Sequence, residues 1–262
     1  MIGIWPSEEV NSIQLINFFD NCRSLKSIHL AGDDEVPIDD QLLAYFIGAS
    51  QLEELDLDGA ITYETLYKAL AMTDQLQRFR NIHSLLLCGM DSNSIPLLVK
   101  VLKDVNSLTS LNITPREFDT NPFPHVSSLV NLEQLQICSL YTSLWTRSDF
   151  LTLSKLKNLK SFGIRPLAGH LTCLDMTDED FISVFENFTE LEELEFPLYC
   201  DLSIASLNAL GACCPKLLTC QMIGRFDLDG WDSPKSHGTT IFPCLEFLQL
   251  SEIHFGSRQR TR

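Results

Sequence analysis

Acid–base or nucleophilic chemistry would have to come from six histidines, thirty-five carboxylates and nine cysteines. The histidines stand alone at positions 29, 83, 125, 170, 237 and 254, and none belongs to an H-E-x-x-H pair. G-x-S-x-G, G-x-x-x-x-G-K-[ST] and G-x-G-x-x-G are also missing, so no nucleophile elbow or phosphate-cradling loop is readable. The cysteines, at 22, 88, 138, 173, 200, 213, 214, 220 and 244, form no C-x-x-C pair. A zinc site or disulfide framework needs ligands at short fixed spacing, so the cysteines read as reduced, small core residues. Neighbouring carboxylates such as Glu53-Glu54 and Glu192-Glu193 would point to opposite faces of a strand and could not work together. His29 is the one histidine placed to meet a carboxylate, Asp56, across two strands. The expectation is a protein that is not an enzyme and takes no cofactor or metal.

Composition narrows the class further. Apolar residues make 45% and charged residues 21% of 262 positions, a globular balance. A net charge of −16 repels phosphate backbones and anionic lipid, so neither nucleic acid nor a membrane is an expected partner. Apolar runs such as Leu97-Leu98-Val99 stop at charge well short of the roughly 20 residues of a membrane helix. Residues 1–9 lack the basic and apolar regions of a secretory signal. The expected location is cytoplasmic or nuclear.

What could position a site is a repeat. The pattern L-x-x-L-x-L begins at Leu25, Leu52, Ile82, Leu108, Leu132, Leu159, Leu191, Leu217 and Leu245, at intervals of 24 to 32 residues. That period matches leucine-rich repeats. The fourth and sixth positions share one face of a strand, as in Leu55 and Leu57, and should enter a core. Between motifs the apolar spacing turns helical: Ile13, Ile16 and Phe19; Leu66, Leu70 and Met72; Ile95, Leu98 and Leu102; Phe181, Ile182 and Phe185. Asp39-Asp40 and Thr177-Asp178-Glu179-Asp180 mark helix starts. One strand and one helix cannot bury their own apolar faces, so the repeats must stack. The expected fold is an α/β leucine-rich-repeat solenoid of about nine repeats, a right-handed horseshoe with parallel strands on the concave face and helices on the convex face. It fills residues 1–262 as a single domain, with loops at 114–124, 165–174 and 224–240. Residues 1–24 read as the remnant of a preceding repeat and 251–262 as an uncapped end, as in a fragment of a longer protein.

The joints Asn21-Cys22-x-x-Leu25-x-x-Ile28-x-Leu30 and Cys213-Cys214-Pro215-x-Leu217 resemble those of ribonuclease-inhibitor-like and cysteine-containing leucine-rich repeats, common in fungal and plant F-box proteins. The resemblance spans about residues 13–250. It implies the substrate-recruiting region of a ubiquitin ligase receptor, with an F-box preceding it that binds a Skp–cullin complex. Trp5-Pro6-Ser7-Glu8-Glu9-Val10 is similar to the L-P-x-E opening of an F-box, but the residues up to the first motif read better as one repeat helix. A stand-alone adaptor, a small-GTPase regulator of the same repeat class and a truncated fragment without intact function are the alternatives.

Either way the repeat frame expects a protein–protein interaction scaffold. Third, fifth and seventh motif positions should line the concave face, giving Glu54, Asp56 and Asp58, then Asn112, Gln134 and Gln136, then Glu193, Glu195 and Gln249. This floor is acidic in two places and calls for a partner protein with a basic segment. Trp145 and Trp231, in or beside loops, are further candidate contacts.

Overall fold

A computed structural model describes residues 3–4, 12–22, 24–31, 38–116, 121–139, 143–144, 146–166, 171–173, 175–227 and 241–254. The chain divides into two compact units, 1–140 and 141–262. In the first, strand and helix alternate: β1 (Gly3–Ile4), α1 (Ser12–Asp20), β2 (Ser27–Leu30), α2 (Asp40–Gly48), β3 (Glu54–Ile61), α3 (Tyr63–Met72), β4 (Ser84–Met90), α4 (Ile95–Leu102), β5 (Ser110–Pro115), α5 (Phe123–Val126) and β6 (Gln134–Ser139). Its six strands pair in parallel in sequence order.

The second unit contains β7 (Ser143–Leu144), α6 (Arg147–Leu151), β8 (Ser161–Pro166), β9 (Leu171–Thr172), α7 (Asp178–Phe185), β10 (Glu193–Phe196), β11 (Leu198–Tyr199), β12 (Asp201–Ser203), α8 (Ile204–Cys213), β13 (Thr219–Asp227) and β14 (Phe247–His254). Strands β8, β10, β13 and β14 form a parallel ladder, with β12 also pairing β13. The short strands β7, β9 and β11 make a second parallel sheet.

Every motif copy therefore sits on a strand, and the register follows the motif. In the first unit Ile28, Leu55, Leu85, Leu111 and Leu135 stand side by side, as do Leu30, Leu57, Leu87, Ile113 and Ile137, and all are buried. Each such side chain contributes about 1.5–3 kcal/mol by leaving water. A hydrogen-bond step recurs at the second motif position. The Lys26 carbonyl accepts from the amides of Glu53 and Glu54, that of Glu53 from His83 and Ser84, and that of His83 from Thr109 and Ser110. The second unit repeats it at Lys160, Glu192 and Leu218. One strand thereby sets the position of the next, the nearest-neighbour coupling of a stacked repeat.

Helices close the opposite side of the sheet. Asp39 caps α2 by accepting from the Leu42 amide at 2.8 Å, and Thr62 caps α3 through the Thr65 amide at 3.1 Å. They bury Leu42, Leu43, Phe46 and Ile47 from α2, and Leu66, Ala69 and Leu70 from α3. The second unit has an aromatic core in which Phe181 stacks on Phe185 and Phe150, Phe162 and Phe188 surround Phe185 and Phe196.

Several sequence expectations change. Ile13 and Met72 lie outside the core, 58% and 56% exposed, because six residues from Phe19 and two from Leu70 each fall off the buried helical stripe. Thr114 and Pro115 continue β5, Arg165 and Pro166 continue β8, and β13 runs on to Asp227, so those loops are shorter than expected. Gly3–Ile4 adds a short strand beside β2, where the sequence suggests a helix alone. Residues 5–10, with the F-box-like stretch, Trp145 and Trp231 lie outside the described residues.

Candidate functional site

Side chains that leave the core in these strands gather on the sheet face turned away from the helices. On β3 the alternation is clean: Leu55 and Leu57 are buried, while Glu54 is exposed and Asp56 and Asp58 are half-buried. The parallel register carries that face sideways as rows. Ser27, Glu54, Ser84, Ser110 and Gln134 form the first, and His29, Asp56, Leu86, Asn112 and Gln136 the second. Asp58, Cys88 and Thr114 begin a third. The six expected residues of this unit thus share one surface.

Within the second unit, Ser161, Glu193, Thr219 and Phe247 are aligned, followed by Gly163, Glu195, Gln221 and Gln249. Glu193, Glu195 and Gln249 therefore lie on one surface too.

Electrostatically the two differ. In the first unit His29 Nδ1 contacts Asp56 Oδ2, the pairing that the repeat spacing suggests. Burial nonetheless raises the Asp56 carboxyl above its ordinary value, with His29 pulling the other way. In the second unit, Arg165 grips Glu195 through two nitrogens at 3.1 and 2.7 Å, and the Ser161 hydroxyl donates to Glu193 at 3.0 Å. Glu195 is thus partly neutralised within the protein, whereas Glu54 on the first unit is exposed.

Burial also raises Cys88, to about 11, with Asp58 and Asp56 adding to the effect and the Thr114 hydroxyl opposing it. Its thiol therefore sits as a neutral, weakly polar patch. Further along the second row, past Leu86, the Oδ1 of Asn112 and the Nε2 of Gln136 are buried with no hydrogen bond inside the protein. Among the described residues no cluster of three or more His, Cys, Asp or Glu could hold a metal ion. Leu86, Cys88, Arg165 and Gln221 were not among the expected residues, although the same third, fifth and seventh positions of their own motifs point to them.

The sequence matches no protein-family model and no curated protein. Solved structures do resemble the fold. A chain of the TLR13–ssRNA13 complex aligns with a TM-score of 0.52 and 17% identity, covering 94% of this chain and 34% of that one. The fold is leucine-rich-repeat-like. A chain of the PEPR1–AtPEP1 complex gives 0.46 and 16%, covering 86% and 31%, and one of the Rad7 and Elc1 complex in yeast gives 0.44 and 15%, covering 83% and 57%. The leucine-rich-repeat-like chain thus spans about a third to just over half of these longer chains. No helix among its described residues is long and apolar enough to cross a membrane.

Proposed function

We propose that this chain is a protein-binding scaffold whose open sheet face in the first unit receives a basic segment of a partner protein. The observation that carries this reading is the second row of that face. A half-buried carboxylate at Asp56 adjoins Glu54 and Asp58, and further along the row, past Leu86, Asn112 and Gln136 keep buried polar atoms without an internal hydrogen bond. Buried polar groups normally find a partner, and a peptide backbone beside Lys or Arg side chains supplies both kinds. The chain's net charge of −16 favours encounter with such a segment and opposes a polyphosphate.

The repeat period runs through residue 140 without a break, which supports reading 1–262 as one repeat domain. A finer reading makes the chain the substrate-recruiting part of an F-box-type ubiquitin ligase receptor. It rests on the helix-to-strand joints at Asn21-Cys22 and Cys213-Cys214-Pro215, and is tested by whether the whole gene product co-purifies with a Skp adaptor.

A random-peptide phage library panned on the purified chain tests the scaffold reading directly. The expected result is a class of Lys- and Arg-rich peptides whose binding is lost on Glu54→Lys and kept on Glu193→Lys. Recovery of no basic class, or of one indifferent to Glu54→Lys, would sink the assignment to this face.

A further inference from the structure

A second surface, on the helix side of the first unit, has the opposite polarity. A groove of about 1000 Å³ runs between α3 and α4 and the turns that follow them. Arg78, Arg80, Lys100 and Lys103 line it, against one acid, Asp104. The groove thus draws four of the chain's nineteen basic residues but only one of its thirty-five acidic ones. Nearby Glu64 is occupied by Lys68 at 2.6 Å, and Asp74 by the Leu76 amide at 3.0 Å.

The walls are held in place from within. Arg78 Nη2 donates to the carbonyls of Leu70 at 2.5 Å and Thr73 at 3.2 Å, covering the last carbonyls of α3. Phe79, the next residue, is 2% exposed and adopts a φ of 51°, a left-handed conformation uncommon for a bulky side chain. Its amide donates to the Ile47 carbonyl at 2.8 Å, so the turn is anchored in the core while the next residue, Arg80, stays exposed on the groove lining. On the opposite wall the Ser107 hydroxyl donates to the Ile82 carbonyl at 2.7 Å. Backbone strain of this kind persists where the surroundings over-determine it.

Apolar surface accompanies the charge. Leu76 is 81% and Tyr67 59% exposed, both on the groove lining. A surface that combines cations with exposed apolar side chains, on a chain that is otherwise strongly acidic, fits an acidic segment carrying one or two apolar residues. The groove's volume lies at the top of the range of about 300–1,000 Å³ for small-molecule pockets, large enough for several residues of peptide. Polyphosphate would satisfy the cations but leave Leu76 and Tyr67 uncovered.

We propose that the α3–α4 groove docks a short acidic segment of a partner protein, with carboxylates on Arg80, Lys100 and Lys103 and an apolar side chain against Leu76 and Tyr67. This surface is separate from the open sheet face, and the two proposals stand or fall independently.

The same phage panning, counter-selected on Lys100→Glu/Lys103→Glu, tests it. Both lysines are exposed, so the variant is expected to fold, and circular dichroism checks this. The expected yield is a class of peptides rich in Asp and Glu with an apolar residue. Fluorescence anisotropy of a selected peptide should show saturable, salt-sensitive binding that weakens about tenfold or more on Lys100→Glu/Lys103→Glu. Lys100→Gln/Lys103→Gln, which adds no repulsion, should weaken it less, and Leu76→Ser severalfold. Lys155→Glu/Lys157→Glu, an equal charge change on exposed residues of the other unit, should leave it unchanged.

Four results would overturn the proposal. They are the absence of an acidic class, binding indifferent to Lys100→Glu/Lys103→Glu, equal loss with the control variant, and self-association of the chain that Lys100→Glu/Lys103→Glu abolishes. The last would assign the groove to a second copy.

Discussion

Replacing Asp180 should loosen the helix edge of the second unit by an amount that can be worked from its contacts. Asp180 is 3% exposed and divides its oxygens between two tasks. Oδ2 accepts from the Thr177 amide at 3.0 Å and hydroxyl at 2.9 Å, closing the capping box of α7. Oδ1 accepts from Arg147 at the start of α6, from Nε at 2.8 Å and Nη2 at 2.7 Å. The Thr177 hydroxyl still accepts from the backbone amide of residue 180, so only the reciprocal half of the capping box is lost, at about 1 kcal/mol. A hydrogen bond to a charged group contributes about 1.5–3 kcal/mol, but Arg147 is half exposed and regains water, so about 1–2 kcal/mol of the pair should be lost. Asp180→Ala is therefore expected to cost about 2–3 kcal/mol, and Asp180→Asn less, since the amide keeps one acceptor. Burial pushes the Asp180 carboxyl up, yet the Thr177 amide and hydroxyl and the Arg147 guanidinium more than offset it and hold it below its ordinary value. A depressed carboxylate contributes stability that is complete above its unfolded pKa of about 3.9 and disappears as pH falls through the folded value. The gap between wild type and Asp180→Asn in urea unfolding should thus be constant from about pH 7 to 5 and close below about pH 4. Hydrogen exchange should place the loosening in α6 and α7. Asp180→Ala within about 0.5 kcal/mol of wild type, or a gap unchanged at pH 3, would refute this account.

Further outcomes are expected elsewhere. Gly89 has a φ of 74°, and a Cβ there would stand 2.6 Å from the Gly59 carbonyl oxygen, so Gly89→Ala should destabilise by about 2–4 kcal/mol in thermal unfolding. Gly48, whose Cβ would meet Thr73 Cγ2 at 3.7 Å, should accept alanine at no cost. Phe196→Ala, in the centre of the aromatic core, should cost about 3–5 kcal/mol by chemical denaturation. In thiol labelling of the native chain at pH 8, exposed Cys244 should react first, while Cys173, Cys200, Cys214 and Cys220, all buried with their thiols pushed up by burial, should react only on unfolding. Early labelling of Cys220 would show that its strand opens in the native state.

The strands were legible because their signal is periodic. Leu55 and Leu57 recur as Leu85 and Leu87 or Leu111 and Ile113, and a parallel register turns that recurrence into rows on both faces of the sheet. The same rule placed Glu54, Asp56 and Asp58 on one surface, and the interval of 27 residues placed His29 beside Asp56. What the rule could not reach depends on geometry without a period. That Arg165 turns onto Glu195 is a choice of rotamer. The α3–α4 groove depends on the left-handed turn at Phe79, whose amide donates to the Ile47 carbonyl, and Arg78 and Arg80 on either side of it both line the groove. Neither residue type nor spacing announces that turn. Met72 falls outside the core for a simpler reason, since a position two residues beyond Leu70 lies about 200° around the helix from it, while the buried stripe of α3 runs through Leu66, Ala69 and Leu70.

Because the repeat separates its buried positions from its open ones, the two functions of a strand residue can be separated by substitution. Glu54 is exposed and contributes nothing to the Leu55 and Leu57 ladder, so reversing its charge should change recognition and leave unfolding within about 0.5 kcal/mol. Asp56 is different. It is half-buried, its charged form is disfavoured by burial, and its favourable contact is His29. Asp56→Asn should therefore relieve a desolvated charge near neutral pH, a benefit that fades as the wild-type carboxyl is protonated on acidification. A partner that brings a Lys or Arg to Asp56 would stabilise the charged form, lower its pKa towards the ordinary value and release protons on binding. Calorimetric titration of a selected basic peptide near pH 5 in two buffers of different ionisation enthalpy measures that release. Uptake of protons instead would mean that the partner meets Asp56 in its neutral form, and that the charge on this face is not what recognises it.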